Sequence, residues 1–322
     1  MKTTFISEVV PGAEVDDLFA VRNVELKEYS GGKMITVELV DRSGRINGVI
    51  WNGTSDDMDM LQPGKIYRVQ GTVTTYKSKS QLTINAIKPT EKYDPDDFLA
   101  RGEFSREELD NRLNQAIAKV DDSYFRKLLD SVFSEKGYRD GFLRGVGGKL
   151  WHHNYIGGLA EHTLCVFDIC LDISSRYREI DRDLLLTGAL LHDIGKIESY
   201  STASVIEYTD SGRLLGHIVV GDRLVGDSIS KIPGFPAEKK LRIRHLILSH
   251  QGSPEQSSPV APMIPEGMAL YIADLLDSKL AAIRRIKKKE HRPGVKWSNF
   301  VNLLDRHIYF GSDGDDNGQE NI

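Results

Sequence analysis

Apolar and polar positions change their rhythm once along this chain. They alternate over Ala20 to Glu28, Met34 to Asp41, Ile46 to Trp51, Ile66 to Tyr76 and Gln81 to Ile87, with breaks at Ser30-Gly31-Gly32, Asp41-Arg42-Ser43-Gly44 and Pro63-Gly64. A period of two punctuated by glycine and proline predicts β-strands with one buried face. So many short strands within residues 1–90 predict a small barrel. After Thr90 to Pro95 the period lengthens: Ser105 and Glu108 make a capping box ahead of Leu109, Leu113, Ile117 and Val120. Helices are predicted over Asp122 to Ser134, Gly157 to Ser174, Asp181 to Leu191, Leu215 to Ile232, Glu238 to Ser249, Pro265 to Lys289 and Ser298 to Tyr309.

The expected fold class is therefore multidomain α and β. A small β-barrel covers residues 1–90, a linker 91–104 and an all-α domain 105–310; the acidic, Gly/Asn-rich tail 311–322 reads as disordered. With 322 residues, 40% of them hydrophobic, the chain can bury a sizeable core. No apolar run approaches the roughly 20 residues that span a bilayer, and Met1 to Glu8 lacks the features of a signal peptide. The expected location is the cytoplasm, with no membrane partner. Cys165 and Cys170 are too few for a disulfide framework and read as reduced residues in or near the core. A formal net charge of -5 does not advertise nucleic-acid binding. It does not exclude it either, because a phosphodiesterase needs a local positive path rather than a basic whole.

The chemistry concentrates in Ala189-Leu190-Leu191-His192-Asp193-Ile194-Gly195-Lys196. An imidazole and a carboxylate side by side in an apolar helix cost several kcal/mol unless a metal or a partner compensates them. Asp274, an acid on the otherwise apolar face of Ala269 to Lys279, and His162, at the head of another apolar helix, complete a His, His, Asp, Asp set. His217 and His250 could furnish a second ion with Asp193 bridging, and His245 is a weaker candidate because it stands off the helical repeat from His250. Imidazole with carboxylate suits divalent Mn, Fe, Co, Ni or Zn. Lys196, one turn after His192, is expected to face a scissile phosphate or to hold the carboxylates. Gly195 gives the backbone room beside them. Asp277 could cap, pair with Lys279 or support a ligand, and His291 and His307 read as ordinary residues.

These residues resemble the ligands that define the HD-domain phosphohydrolases. The strand pattern, with a hairpin from Leu39 to Trp51 and a helical turn from Asp56 to Leu61, resembles an OB-fold of the nucleic-acid-binding kind. The combination is similar to the YhaM-type 3'-5' exoribonucleases. Stretches carrying that likeness are His152-His153-Asn154-Tyr155-Ile156-Gly157-Gly158-Leu159-Ala160-Glu161-His162, Leu190 to Lys196, Leu214 to Ile218, and Ile247 to Gly252 leading to Ala273-Asp274. One departure is Ser249-His250-Gln251-Gly252, where that group usually has Ser-His-His-Gly; glutamine binds divalent ions poorly.

The resemblance implies a metal-dependent 3'-5' exonuclease on single-stranded RNA, with single-stranded DNA as a further substrate, releasing nucleoside 5'-monophosphates. It implies two divalent ions, manganese first with Fe, Co, Ni, Zn or Mg as alternatives, catalytic roles for Asp193 and Lys196, and a homo-oligomer. His153 and Tyr155, just before the first ligand, are expected to stack on a terminal base or touch its phosphate, with Trp151 and Tyr155 alternatively packing groups. On the barrel, Tyr29, Trp51, Tyr67 and Tyr76, interleaved with Lys33, Arg45, Arg68, Lys77 and Lys79, fit a surface that stacks bases, Trp51 being the one expected in the core. Arg284 and Arg285 would extend a phosphate track or form a solvated helix end. Glu255, Ser257, Ser258 and Pro259 would form one wall of the cleft or an interface. Two other readings fit the same residues: a hydrolase of free or cyclic nucleotides, or a nucleic-acid-binding protein with a degenerate site.

Overall fold

The computed structural model describes residues 2–311 apart from 30, 78, 101, 135–136, 149–152, 202–205 and 257. The expectations for the tail beyond Gly311, for Trp151 and for Ser257 fall outside the described residues.

The alternating segments form β1 (Glu14–Tyr29), β2 (Gly32–Asp41), β3 (Gly44–Trp51), β4 (Ile66–Tyr76) and β5 (Lys79–Pro89), with α1 (Ser55–Met60) between β3 and β4. They close into a barrel of order β1-β2-β3-β5-β4, in which β3 and β5 pair in parallel and the other neighbours are antiparallel. This is the OB-fold arrangement expected from the strand pattern. The inward positions Val15, Phe19, Val21, Ile35, Val37, Leu39, Val69, Val73 and Leu82 fill it. β1 begins earlier than its apolar alternation, because Asp17 is buried and satisfied locally: it accepts the amides of Thr3 and Thr4 at 2.7 and 2.6 Å. One expectation is corrected here. Trp51 is not barrel core but 48% exposed, at the open end of β3, edge-on to Tyr29 with ring centroids 5.1 Å apart. Tyr67 takes the interior place instead, its hydroxyl donating to the Met60 carbonyl and accepting the Gln62 amide. It offers no stacking surface.

The connector is packed rather than free. Phe98 joins Ala20, Val40 and Ile66 in a buried cluster. Ala100 and Gly102 exchange backbone hydrogen bonds with Ile156 of the helical domain.

That domain comprises α2 (Arg106–Ala118), α3 (Ser123–Val132), α4 (Arg139–Arg144), α5 (Gly158–Arg176), α6 (Arg182–Leu191), α7 (Lys196–Ser199), the short pair β6 (Tyr200–Ser201) and β7 (Glu207–Tyr208), then α8 (Asp210–Leu214), α9 (Gly216–Ser230), α10 (Ala237–Ser249) and α11 (Pro265–Glu290). From Leu184 to Leu191 every residue of α6 is buried, as a helix apolar on all sides must be. It therefore lies at the centre, against α5, α10 and α11. No described helix is long and apolar enough to cross a membrane.

The helix expected over Ser298 to Tyr309 does not form. Trp297 bridges to Tyr309 and Val301 to Arg306 in antiparallel fashion, with a tight reversal at Asp305, where φ is +53°. Val301, Leu304 and Ile308 are spaced like a helix face, yet here they reach one buried cluster with Phe310 by folding back on themselves.

Candidate metal centre

Four elements deliver the site. α5 carries His162 in its first turns, α11 carries Asp274 and Asp277 one turn apart, α9 begins beside His217, and α10 ends at His250. His192 and Asp193 stand just past the last residue of α6, in the turn before α7, rather than within a helix as expected. The His192 backbone is still helical, with φ -54° and ψ -41° and its amide on the Gly188 carbonyl, so the pair extends the end of α6 into the site.

The hydrogen bonds decide what these groups can do. His192 Nδ1 donates to the Ala189 carbonyl at 2.8 Å, and His162 Nδ1 donates to Asp277 Oδ2 at 2.7 Å. In neutral imidazole that leaves Nε2 as a lone pair on each ring. The two Nε2 atoms nevertheless face each other at 3.3 Å, both fully buried, with Asp193 Oδ2 at 3.4 and 3.3 Å and Asp274 Oδ1 3.2 Å from His162. A cation between them would satisfy the imidazole nitrogens and the carboxylates together. Ligands about 2.0–2.2 Å from one ion stand about 2.8–3.6 Å apart, so these separations suit a divalent ion.

A second group adjoins the first. His250 Nδ1 donates to the Ile247 carbonyl at 2.7 Å, and its Nε2 is buried with no hydrogen-bond partner, as is Asp193 Oδ1. Asp193 Oδ1 lies 3.4 Å from His217 Nε2 and 3.6 Å from His250 Nε2. Asp193 thus turns one oxygen to each group. His162, His192 and Asp193 form one cluster with metal-ligand spacing and Asp193, His217 and His250 another.

Charge state follows the same field. Burial opposes charge on His162, but Asp193, Asp274 and Asp277 outweigh it and raise this imidazole well above the ordinary range. Burial also pushes against ionisation of Asp193, yet Lys196 and His192 with the histidine hydrogen bonds hold it well below the usual carboxylate range. Asp274 and Asp277 are likewise depressed against the cost of burial, chiefly through His162 and, for Asp277, His153. His217, which has mainly the cost of burial, drops to about 3 and is a neutral imidazole at pH 7.

Family models match both halves of the chain: the HD domain over residues 159–279 and an OB-fold nucleic acid binding domain over residues 20–90. Over 302 residues, 92% of this chain and 94% of the relative, it is 32% identical to the 3'-5' exoribonuclease YhaM of Oceanobacillus iheyensis. The chain belongs to the YhaM 3'-5' exoribonuclease family. The same protein of Bacillus velezensis is 31% identical over 92% of this chain and 95% of its own length. That of Bacillus subtilis is 30% identical over 88% and 92%.

Within this exoribonuclease the other expected residues fall into distinct places. Lys196 is buried and donates to Asp193 Oδ2 at 2.5 Å and to the Gly147 carbonyl at 2.6 Å, so of its two expected roles it fills that of holding the carboxylate. His245 Nε2 accepts the Met263 amide at 3.0 Å, which engages its lone pair away from the clusters. Gln251 hydrogen-bonds His217 Nε2 at 3.2 Å and so stands beside the second group. His153 is not an exposed stacking ring: it is 5% exposed, at a left-handed φ of +45°, between the Tyr155 hydroxyl at 2.8 Å and Asp277 Oδ2 at 3.0 Å. Tyr155 is half-buried, and burial with the nearby Glu161 carboxylate raises its hydroxyl. Asp277 links His153 to His162 and sets which nitrogen of His162 turns toward His192 and Asp193. Its i+3 spacing from Asp274 on α11 was the available signal.

Arg284 comes within 3.9 Å of Asp277, while Arg285 lies on the exposed side of α11 close enough to Arg45 of the barrel for their charges to repel. Tyr76 and Lys77, with Trp51, Tyr29 and Lys27, line a barrel groove of about 680 Å³; exposed Lys79 opens β5 beside it. Ser258 accepts the Gln251 amide and so braces the end of α10.

Gly195 is indispensable to this packing. A Cβ there would lie 2.0 Å from the His217 carbonyl oxygen and 2.5 Å from the Gly221 nitrogen. Gly195→Ala is expected to push α9 away, lower stability by about 1–3 kcal/mol and reduce RNA degradation; a urea melt and an RNA assay on the same sample read both.

Proposed function

We propose that this metal-dependent 3'-5' exoribonuclease releases nucleoside 5'-monophosphates from single-stranded RNA, and also trims single-stranded DNA, with two divalent ions of which manganese serves best. The carrying observation is the convergence of the buried Nε2 atoms of His162 and His192, 3.3 Å apart, on Asp193 Oδ2, next to the unpartnered Nε2 of His250. In the first position His162, His192, Asp193 and Asp274 would hold an ion, and in the second Asp193, His217 and His250, with Gln251 beside them. Ions bound there supply Lewis acidity toward a phosphate oxygen and lower the pKa of water.

The chain's own groups do the rest. Asp193 serves both positions and Lys196 keeps its carboxylate ionised and oriented. Asp277 and His153 fix the tautomer of His162. The barrel groove with Tyr29, Trp51 and Tyr76 holds the single strand by stacking, and Lys77 and Lys79 follow its phosphates. Arg284 and Arg285 add positive charge between barrel and centre. We further propose self-association through the exposed stripe Met268, Ile272, Leu276 and Leu280 along α11. A cytoplasmic setting accords with the two free cysteines.

The test uses 5'-labelled single-stranded RNA and DNA with Mn, Mg or Zn. A descending ladder with Mn, and nucleoside 5'-monophosphate as the chromatographed product, is expected. In Trp51→Ala/Tyr76→Ala, RNA affinity should fall about tenfold or more while hydrolysis of a small phosphodiester stays unchanged. Internal cuts or 3'-monophosphate products would refute the proposal.

A further inference from the structure

Resting on the exonuclease reading above, we infer that Tyr208, backed by Tyr200, is the stacking platform for the nucleobase next to the scissile phosphate. Nothing in the pattern of ligands points to this pair; the fold does. Tyr200 directly follows α7, and α7 begins at Lys196, which grips Asp193. At 1.5 Å per helical residue, the backbone from Asp193 to Tyr200 spans only about 10 Å. Tyr208 pairs with Tyr200 across the β6–β7 ladder, with ring centroids 4.8 Å apart and planes inclined at 34°. Tyr200 is partly buried and Tyr208 is 41% exposed, so the pair is anchored through Tyr200 and reaches solvent through Tyr208.

The hairpin is held firmly at its base. The Thr209 amide donates to the Ser199 carbonyl, its hydroxyl to the Glu198 carbonyl, and it caps α8 by accepting the Gly212 amide. α8 then leads through Leu214 and Leu215, 82% and 55% exposed, to His217 at the second ligand group. An aromatic pair and two exposed leucines thus lie along the short stretch of chain that joins the Asp193 turn to His217. On the other side of the hairpin, Ile206 and Glu207 share a cleft of about 240 Å³ with Arg22, Arg42 and Arg45 of the barrel and with Asn154, the neighbour of His153. A strand leaving the barrel along this cleft would run beside the Tyr200–Tyr208 pair. The Asp193 charge also helps hold the Tyr200 hydroxyl up, after burial and Tyr208, which accords with that short separation.

Stacking on a tyrosine face is tolerant of base identity, as an enzyme that removes nucleotides one after another requires. The role is positioning: the base is held so that the phosphate beside it meets the centre.

The experiment compares Tyr208→Phe, Tyr208→Leu and Tyr208→Ala in the full chain loaded with Mn. Substrates are an oligoribonucleotide carrying a fluorescent purine analogue at its 3' end, and bis(p-nitrophenyl) phosphate. Tyr208→Phe should keep the KM for RNA and the quenching of the analogue. Leu and Ala should each raise KM about tenfold and abolish the quenching, with diester hydrolysis unchanged in all three. A leucine variant that behaves like phenylalanine, or quenching that survives in Tyr208→Leu, overturns the platform and leaves a packing role. Wild-type protein that hydrolyses the diester but never shortens the RNA overturns the exonuclease reading instead, so the two failures are distinguishable.

Discussion

Asp193→Asn is expected to abolish RNA degradation, by at least about 1,000-fold or roughly 4 kcal/mol of transition-state stabilisation, while leaving the protein folded. Among the described residues Asp193 alone faces both groups, one oxygen toward His162 and His192 and the other toward His217 and His250. Asparagine keeps the shape but removes the anion, and its amide nitrogen offers no lone pair to an ion. Lys196 retains the Gly147 carbonyl and can still reach the amide oxygen, so the folding penalty should stay at about 1–3 kcal/mol. Asp193→Ala is the harsher control: Lys196 would be left buried without its carboxylate, and a loss of about 3–5 kcal/mol is expected. Gel assays on labelled RNA, metal content by mass spectrometry and denaturant melts of both variants make the check. Full activity in Asp193→Asn would remove the centre from the chemistry.

Stripping the ions should produce a large, pH-dependent loss of thermal stability. His162 is raised above its unfolded value of about 6.5, so its contribution is fully present below that pH and is lost as pH rises through the folded value. His217 is depressed to about 3, so folded protein keeps it neutral, and stability falls as pH drops from about 6.5 toward that value. Asp193 and Asp274, depressed too, add a loss only in stronger acid. The chelated protein should therefore be most stable near about pH 6.5 and weaken above it, where nothing replaces the proton among three carboxylates. With Mn present the cation does replace it, and Tm should hold through pH 9. Scanning calorimetry with and without chelator reads the widening gap; parallel curves above pH 7 would contradict the assigned field.

Much of the centre was legible because burial makes charge conspicuous. His192 and Asp193 after a run of leucines, and Asp274 between Ala273 and Leu275, cannot sit in those surroundings without compensation. The barrel was legible through alternation, yet parity along a strand does not say where the closed core ends. Trp51 therefore read as interior, although it lies at the open rim against Tyr29. The C-terminal segment misled for a related reason, since Val301, Leu304 and Ile308 satisfy helical spacing while a reversal at Asp305 satisfies burial equally well. The role of Asp277 and the burial of His153 were not legible, because both depend on which face of α11 meets the start of α5.

By itself the order of residues determined two rhythms, a barrel followed by helices, and the residue types that could bind an ion, because periodicity and the cost of buried charge act locally. Only the tertiary structure decided which nitrogen of each imidazole turns toward Asp193, that this one carboxylate faces two groups, that Lys196 holds Asp193 rather than facing outward, and that Tyr200 and Tyr208 pair just beyond α7. Those are properties of side chains brought together from α5, the turn after α6, α9, α10 and α11, and contacts so distant along the chain leave no periodic trace in it.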